Sequence, residues 1–383
     1  MQVSLSTIVY LAIMVSPFSR KSTSTFHFKA HYLAFQPLNV QIPRCSMFFQ
    51  QLLVYLFYQL NGERSAMAPY YILKGKKSGQ TLQDIHYYKV QGFFGIGVDL
   101  TKDMYQQELD SLVKAGWITS LDSPNVTEVG YKNLEDFNSH FQTGVLGPDC
   151  VHFEKKLQLL VQISSNVLHE NRRYIPIIAE EPIQRDIKQF IASQASIQQV
   201  AEDTKQAVLD FIHQTTFTEK QRNLFVFRLS GFEVTGWTWS QLADMLVLRK
   251  LDCQYLFRDL LVQFMTYLEK THSPLSQLVD RPLVLTETAG VTKRYLQNQL
   301  SLEQIAAARR LKTSTIEDHF VEIASIEGGH FFTELLSPEQ CDRIFDVQKQ
   351  LQTHKLKELR EELPEFSYFQ IRLALAIGGA SND

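Results

Sequence analysis

The sequence has no hydrophobic run of the roughly 18 residues that a membrane-spanning helix requires, which excludes that class of protein. It has only 4 cysteines in 383 residues, widely spaced and without a CxxC pair, which excludes a disulfide scaffold, gives no zinc-site spacing and fits reduced thiols in a cytosol. It also lacks an excess of one charge, since 38 Lys and Arg face 41 Asp and Glu. Any nucleic-acid binding must therefore come from local patches.

The composition that remains is that of a folded globular protein. Apolar residues make up 44% of the chain and charged residues 21%, so collagen-like and wholly disordered proteins are excluded. At roughly 150 residues per domain, the length suggests two or three domains, each able to bury its own core.

The first 46 residues contain no acidic side chain, and the first acidic residue of the chain is Glu63. Arg20 and Lys21 follow a short apolar stretch, whereas a secretory signal places its positive charges before that stretch. We therefore favour a non-native leader, with translation starting at Met47, over a targeting peptide. From Met47 onwards the sequence changes abruptly to an apolar pattern with helical spacing.

Apolar residues recur at helical spacing after residue 46, and capping residues and tight turns separate the segments, so we predict a mainly α fold. The expected architecture is several small three-helix helix-turn-helix or winged-helix-like units joined by a helical middle region. The predicted parts are an N-terminal extension at 1–46, a winged-helix-like domain at 47–150, a helical middle domain at 151–285 and a C-terminal helix-turn-helix domain at 286–383.

The winged-helix prediction depends on one helix and the turn that follows it. A helix from Thr101 to Ala115 is stopped by Gly116, and an extended stretch with a turn at Ser123–Asn125 comes next. Three helices cannot cover their core alone, and a small hairpin would close the open side. An unrelated helical bundle fits the same pattern.

The middle domain contains two segments with capping-box spacing, Thr218–Gln221 and Thr238–Gln241, followed by a third apolar helix. Three short helices in this order favour a helix-turn-helix-like unit. The alternative is that the aromatic residues of this region only build a core. Those residues are Phe225, Phe227, Phe232, Trp237 and Trp239.

The clearest pattern lies in the C-terminal domain. Ser301 and Gln304 have capping-box spacing and predict one helix, and Ser314 and Glu317 predict a second after a short turn. The predicted inner face, with a small residue where the helices cross, consists of Ala306, Ile316, Phe320 and Ile323. We therefore predict a helix-turn-helix, whose second helix would present its first turn to base edges and phosphates.

Positive charge near this motif marks the candidate DNA contacts. They are Lys293, Arg294, Arg309, Arg310, Lys312, Thr313, Ser314, Thr315 and His319, with Lys74, Lys76 and Lys77 in an N-terminal loop. Basic and acidic residues balance between 291 and 330, and the acidic candidates Glu317, Asp318 and Glu322 lie on the second helix itself. Phosphate positioning or protein contact is therefore favoured over strong sequence readout. The lysine loop is equally consistent with a solvated turn.

The motif also resembles a known family. The stretches Leu300–Ala306, Ser314–Phe320 and Leu363–Leu373 resemble the helicase-associated helix-turn-helix domain, found at the C-terminus of some RecQ-type helicases and in stand-alone bacterial proteins of the YpbB type. Gly62–Arg64 and Leu73–Asp84 resemble the N-terminal part of those stand-alone proteins. The resemblance implies a cytosolic protein of Gram-positive-type bacteria that serves beside a RecQ-like helicase, without an established activity.

No enzyme motif is complete in this sequence. Gly75–Thr81 lacks the residue order of a phosphate-binding P-loop, and Gly95 and Gly97 lack a third glycine. HExxH and GxSxG do not occur, and the 11 histidines are scattered. We therefore predict no catalysis, cofactor, metal site or small-molecule substrate, and no membrane association.

Two classes of function are favoured, and a third is consistent with the sequence. The first is a DNA-binding accessory factor that works with a RecQ-type helicase in DNA repair, recombination or replication. The second is an adaptor whose acidic helix docks on the helicase without meaningful DNA binding. A transcriptional regulator is the third, and nothing in the sequence marks an effector pocket for it.

Overall fold

The computed structural model describes residues 47–143, 147–214, 216–281 and 285–380. The expected N-terminal leader lies outside these residues. In chain order the α-helices are α1 Phe48–Leu60, α2 Ala68–Leu73, α3 Gly79–Tyr87, α4 Lys102–Lys114, α5 Glu128–Lys132, α6 Cys150–Leu168, α7 Glu181–Ser193, α8 Ile197–Ile212, α9 Glu219–Phe227, α10 Trp239–Leu246, α11 Lys250–Lys270, α12 Glu287–Gln297, α13 Leu302–Arg309, α14 Thr313–Glu327, α15 Pro338–Leu351, α16 Leu356–Glu362 and α17 Tyr368–Ala380.

The mainly α fold predicted from the sequence is confirmed. The described part of the chain contains these seventeen α-helices, two short 3-10 helices at Gln91–Phe93 and Pro274–Leu278, and no named strand. Pairing between extended segments is limited, over the same residues, to the isolated bridges Ile118–Val126 and Gly231–Val234. None of the described helices combines the length and apolar character that crossing a bilayer needs.

The chain separates into two compact units. The first contains His152–Val279 with the described residues up to Phe49, and the second contains Gln50–Val151 with the described residues from Asp280 onwards. The second unit therefore joins the N-terminal segment to the C-terminal segment that carries the predicted helix-turn-helix. The division into separate N-terminal and C-terminal domains stays a prediction.

The first unit is built around the long helix α11. The ring of Phe211 on α8 lies 5.1 Å from that of Phe225 on α9 and 4.9 Å from that of Phe264 on α11, and all three side chains are buried. Both capping boxes predicted here are formed and begin α9 and α10. Phe225 and Phe227 thus build the core of this unit, and a DNA-binding role for the region stays a prediction.

The second unit is organised by α17. The buried side chains of Ile371, Leu373, Ala374 and Ala376 lie on this helix, and α14 packs against it. Small residues allow neighbouring helices to approach closely, as in other tightly packed interiors. Helix α3, from the N-terminal segment, packs on both α14 and α17 and therefore completes the core of the C-terminal part.

The segment predicted to form a wing has the expected helix but little sheet. Helix α4 is capped by the side chain of Thr101, and Gly116 takes a positive φ of 68° directly after it. The only pairing described in the stretch that follows is the Ile118–Val126 bridge. A helix followed by a short, weakly paired hairpin is therefore present, and the winged-helix assignment of this segment stays a prediction.

A buried carboxylate connects the two segments of the second unit. The side chain of Glu63 accepts hydrogen bonds from the Tyr88 hydroxyl at 2.8 Å, the Thr353 hydroxyl at 2.9 Å and the His354 backbone N–H at 3.0 Å. The adjacent Arg64 donates to the carboxylate of Asp84 on α3 at 2.8 Å. The side chain of Glu63 thus links the N-terminal segment to Thr353, which lies 290 positions later in the sequence.

Candidate nucleic-acid interface

Helices α13 and α14 form the predicted helix-turn-helix. Ser301 and Gln304 cap α13 with both halves of a capping box, and the helix ends where Arg310 takes a left-handed conformation with a φ of 53°. The Leu311 N–H then bonds back to the Ala306 carbonyl at 3.0 Å, which satisfies a helix-end carbonyl and sets the turn. The turn between α13 and α14 therefore has Arg310, and not a glycine, in the left-handed conformation.

The second helix starts two residues earlier than predicted, because its N-cap is Lys312 and not Ser314. Helix α14 begins at Thr313 with Lys312 as its N-cap, and no side chain caps it, so the capping box expected between Ser314 and Glu317 is not formed. Ser314 therefore lies inside the first turn of the helix and is not its N-cap. The first N–H groups of α14 therefore have no side-chain acceptor.

Helix α14 is buried on more than its predicted inner face. Ile316, Phe320 and Ile323 lie in the core as expected, and the residues from His319 to Ser325 are all buried as well. The cause is the packing of α3 and α17 against the side of α14 that a free-standing helix-turn-helix would expose. As a result, α14 presents mainly its first turn, at Thr313 and Ser314, to solvent.

The guanidinium of Arg309 is used within the protein. It donates to the Thr288 carbonyl at 2.8 Å and the Thr288 hydroxyl at 3.0 Å, and it also contacts the Thr292 hydroxyl. It lies 3.3 Å from Nδ1 of His319, which is buried and 2.8 Å from the Thr292 hydroxyl. Arg309 and His319 thus fasten α12 to the helix-turn-helix and do not project outward from it.

Burial lowers the pKa of His319, and the positive charge of Arg309 lowers it further. The ring is therefore neutral at pH 7 in the folded state, whereas an unfolded histidine titrates near pH 6.5. Because the folded pKa lies below the unfolded one, His319 reduces stability as the pH falls below about 6.5. At neutral pH this ring imposes no such cost.

Arg309→Ala is expected to lower the free energy of unfolding of the second unit by about 1 kcal/mol, because hydrogen bonds from a charged donor to Thr288 and Thr292 are lost and those to Thr288 are solvent-exposed. The same change should raise the pKa of His319, since a neighbouring positive charge disappears. Urea unfolding and a histidine NMR titration measure the two effects. Arg310→Ala is the matched control, and equal losses in both variants would contradict this assignment.

The three acidic candidates have different surroundings. Glu322 is buried and accepts hydrogen bonds from the backbone N–H and the hydroxyl of Thr286, the N-cap residue of α12. Burial raises the pKa of Glu322 despite those hydrogen bonds. Asp318 pairs with Arg372 on α17 at 2.7 Å, with 55% of its side chain exposed, and Glu317 is half-buried. Of the three, Asp318 is the residue open to a partner.

The remaining basic candidates divide into paired and solvent-facing groups. Lys293 pairs with Glu327 at 2.6 Å, Lys74 donates to the carbonyl of Val98, and the ammonium of Lys76 lies 4.1 Å from the centre of the Tyr71 ring. Three candidate basic side chains of the helix-turn-helix region project into solvent without a described partner, and these are Arg294, Arg310 and Lys312.

Lys77 brings the N-terminal loop to the helix-turn-helix. Its side chain is exposed, and it is close enough to Glu322 to act on the pKa of that carboxyl. The approach follows from α3, which starts directly after this loop and packs on α14. Two candidate regions that are far apart in sequence therefore lie on one unit.

A groove beside α14 was not predicted from the sequence. A cavity of about 720 Å³ in the second unit is lined by residues of α3, α14 and α17 and by the start of α16. Its basic residues are Arg64, Lys355, Lys357 and Arg372. The only sequence signal was the pair of lysines around Leu356, which is too short to stand out in a chain with balanced charge.

Comparisons with known proteins identify a family and a relative of this chain. Residues 288–375 match a family model described as a helix-turn-helix domain. Protein YpbB of Bacillus subtilis (strain 168) is 30% identical over 338 residues, which represent 83% of this chain and 94% of that protein. No solved structure gives a significant match.

Proposed function

This chain belongs to the YpbB family of helix-turn-helix proteins, and we propose on that basis that it is a non-enzymatic protein that binds DNA mainly through backbone phosphates. The observation that carries this is the first turn of α14. That turn is solvent-exposed, has no side-chain cap, and is flanked by the exposed cations Arg310 and Lys312. Uncapped N–H groups at a helix N-terminus attract anions, and adjacent cations strengthen the attraction.

The expected mode of binding is contact with the sugar–phosphate backbone. A recognition helix that reads bases lies with its outer side chains in the major groove. In this unit α3 and α17 occupy much of the surface of α14, so the first turn is what remains to contact DNA. Thr313 and Ser314 would donate to phosphate oxygens, while Arg310, Lys312 and Arg294 supply positive charge nearby.

The wider role proposed is that of an accessory factor beside a RecQ-type helicase, acting in DNA repair, recombination or replication in the cytoplasm. Its support is the resemblance of Leu300–Ala306 and Leu363–Leu373 to the helicase-associated domain. The segment with α4 and the Ile118–Val126 bridge is proposed as a winged-helix-like element of the same function. Docking on the helicase through an acidic helix has less support, because Glu322 is buried and accepts hydrogen bonds from Thr286, the N-cap residue of α12.

The test is the salt dependence of DNA affinity. The double variant Arg310→Ala with Lys312→Ala should reduce the slope of log K against log salt by about 2, since each neutralised phosphate contributes about 0.9 to the slope. Fluorescence anisotropy with a labelled random-sequence duplex gives the affinities.

A matched control replaces two exposed lysines of the first unit, Lys188 and Lys220, with alanine. The control removes the same charge and should leave the slope close to that of the unaltered protein. Equal slopes for all three proteins, or no DNA binding by the unaltered protein, would overturn the proposed function.

A further inference from the structure

The groove beside α14 concentrates positive charge that the helix-turn-helix motif lacks. Its walls carry Arg64, Lys355, Lys357 and Arg372, against a single acidic lining residue, Asp318. In contrast, charges balance over residues 291–330. Basic side chains from three separate segments therefore converge on the groove, while the carboxylates of Asp84 and Glu358 pair with two of them from outside the lining.

The protein itself neutralises only part of this charge. Arg64 is tied to Asp84 at 2.8 Å, and Arg372 to Asp318 at 2.7 Å. Lys355 lies 3.5 Å from Glu358, but both side chains are about half exposed, so that pair is weak. Lys357 is exposed and has no partner among the described residues. Two lysine ammonium groups at the mouth of the groove are thus available to an anion.

An unused hydrogen-bond donor lies in the same groove. Gln83 on α3 is only 4% exposed and is one of the residues that line the groove. Its Nε2 lies just beneath the groove surface, with less than 1 Å² of that atom exposed, so a ligand reaches it through a rotation of the side chain. The Nε2 of that side chain has no hydrogen-bond partner within the part of the chain that the structure describes. Buried amide donors in folded proteins are nearly always paired, so an unpaired donor in a groove calls for a ligand with an acceptor oxygen.

The groove continues from the exposed first turn of α14. Asp318, one of its lining residues, follows Ser314 by four positions and therefore lies on the same face of the helix, about 6 Å away between Cβ atoms. A strand whose phosphate meets the first turn of α14 thus reaches the groove without leaving the surface of one unit.

We propose that this groove binds a phosphate of the nucleic-acid backbone, with Lys355 and Lys357 supplying charge and Gln83 Nε2 donating a hydrogen bond, which extends and rests on the DNA binding proposed above. A nucleic acid fits better than an acidic peptide. The groove adjoins the first turn of α14, where DNA binding is proposed, and seven of its eleven lining residues are charged or amide-bearing.

The experiment uses the full chain and a labelled random-sequence oligonucleotide, single-stranded and duplex. Lys355→Ala with Lys357→Ala should reduce the slope of log K against log salt by about 0.9 on the duplex and about 0.7 on the single strand, the contribution of one phosphate. Gln83→Leu, which keeps the side-chain size, should weaken binding about tenfold because a hydrogen bond to a charged oxygen is lost. Lys357→Glu changes only an exposed side chain, so it should weaken binding even if Gln83→Leu unfolds the unit.

The control pair Lys188→Ala with Lys220→Ala should behave as the unaltered protein. DNA binding that depends on Arg310 and Lys312 but is unchanged in all groove variants would overturn the groove site and leave the proposed function intact. Absence of DNA binding by the unaltered protein would overturn both.

Binding measurements with two further ligands distinguish a nucleic-acid phosphate from free phosphate and from an acidic peptide. Inorganic phosphate alone binding the unaltered protein, with DNA affinity unchanged in the lysine double variant, would assign the groove to free phosphate and overturn the proposal. A polyglutamate peptide that binds more tightly than DNA, and whose binding needs Lys355 and Lys357, would do the same in favour of an acidic partner.

Discussion

Glu63→Ala is expected to lower the free energy of unfolding of the second unit by about 4 kcal/mol. The carboxylate is buried and accepts hydrogen bonds from Tyr88, Thr353 and the His354 backbone. Its removal leaves these donors without an acceptor in a site closed to water, and such losses are several-fold larger than the net contribution of one hydrogen bond. Urea unfolding followed by tyrosine fluorescence measures the change.

Two comparisons define this prediction more sharply. Glu63→Gln keeps one acceptor oxygen and should cause about half the loss. Glu128→Ala removes an exposed carboxylate that pairs with Lys132 at 2.9 Å on one helix face, and it should cost less than about 0.5 kcal/mol. Similar losses for Glu63→Ala and Glu128→Ala would show that Glu63 does not hold the N-terminal and C-terminal segments together.

Phe211→Ala should destabilise the first unit by about 4 kcal/mol, a typical cost for truncating a buried phenylalanine. The ring of Phe211 contacts those of Phe217, Phe225 and Phe264 at centroid distances of 4.8, 5.1 and 4.9 Å. Its loss leaves a cavity that rigid neighbouring rings fill poorly. Hydrogen exchange of amides in α9 and α11 locates the effect within the unit.

The control lies on the same helix. Ile197 opens α8 with 44% of its surface exposed, so Ile197→Ala should change the free energy of unfolding by less than about 0.5 kcal/mol. If amides of α9 and α11 exchange as slowly in Phe211→Ala as in the unaltered protein, the aromatic cluster is not the stabilising core of this unit.

The local features of the fold could be predicted from the sequence. The capping boxes predicted at Thr218, Thr238 and Ser301 are all formed. Each depends on residues three positions apart, so neighbouring sequence contains the whole signal. The box expected at Ser314 is not formed, because α14 begins at Thr313 and Ser314 therefore lies inside its first turn.

The candidate site was harder to predict, because its exposure depends on distant segments. The apolar spacing in α14 correctly gave Ile316, Phe320 and Ile323 as an inner face, but only the packing of α3 explains why Glu322 is buried too. For the same reason, Arg309 could not be recognised as a partner of Thr288 from its position in the turn. Residue type indicates charge, whereas the direction in which a side chain points depends on the tertiary fold.

The discontinuity of the second unit has a consequence for synthesis on the ribosome. His152–Val279 forms one unit by itself with little of the N-terminal chain, so nascent α6 to α11 can fold while translation continues. Helix α3 and Glu63 must wait until α14, α17 and Thr353 have emerged. Before those partners emerge, helix α3 exposes the surface that α14 and α17 later cover.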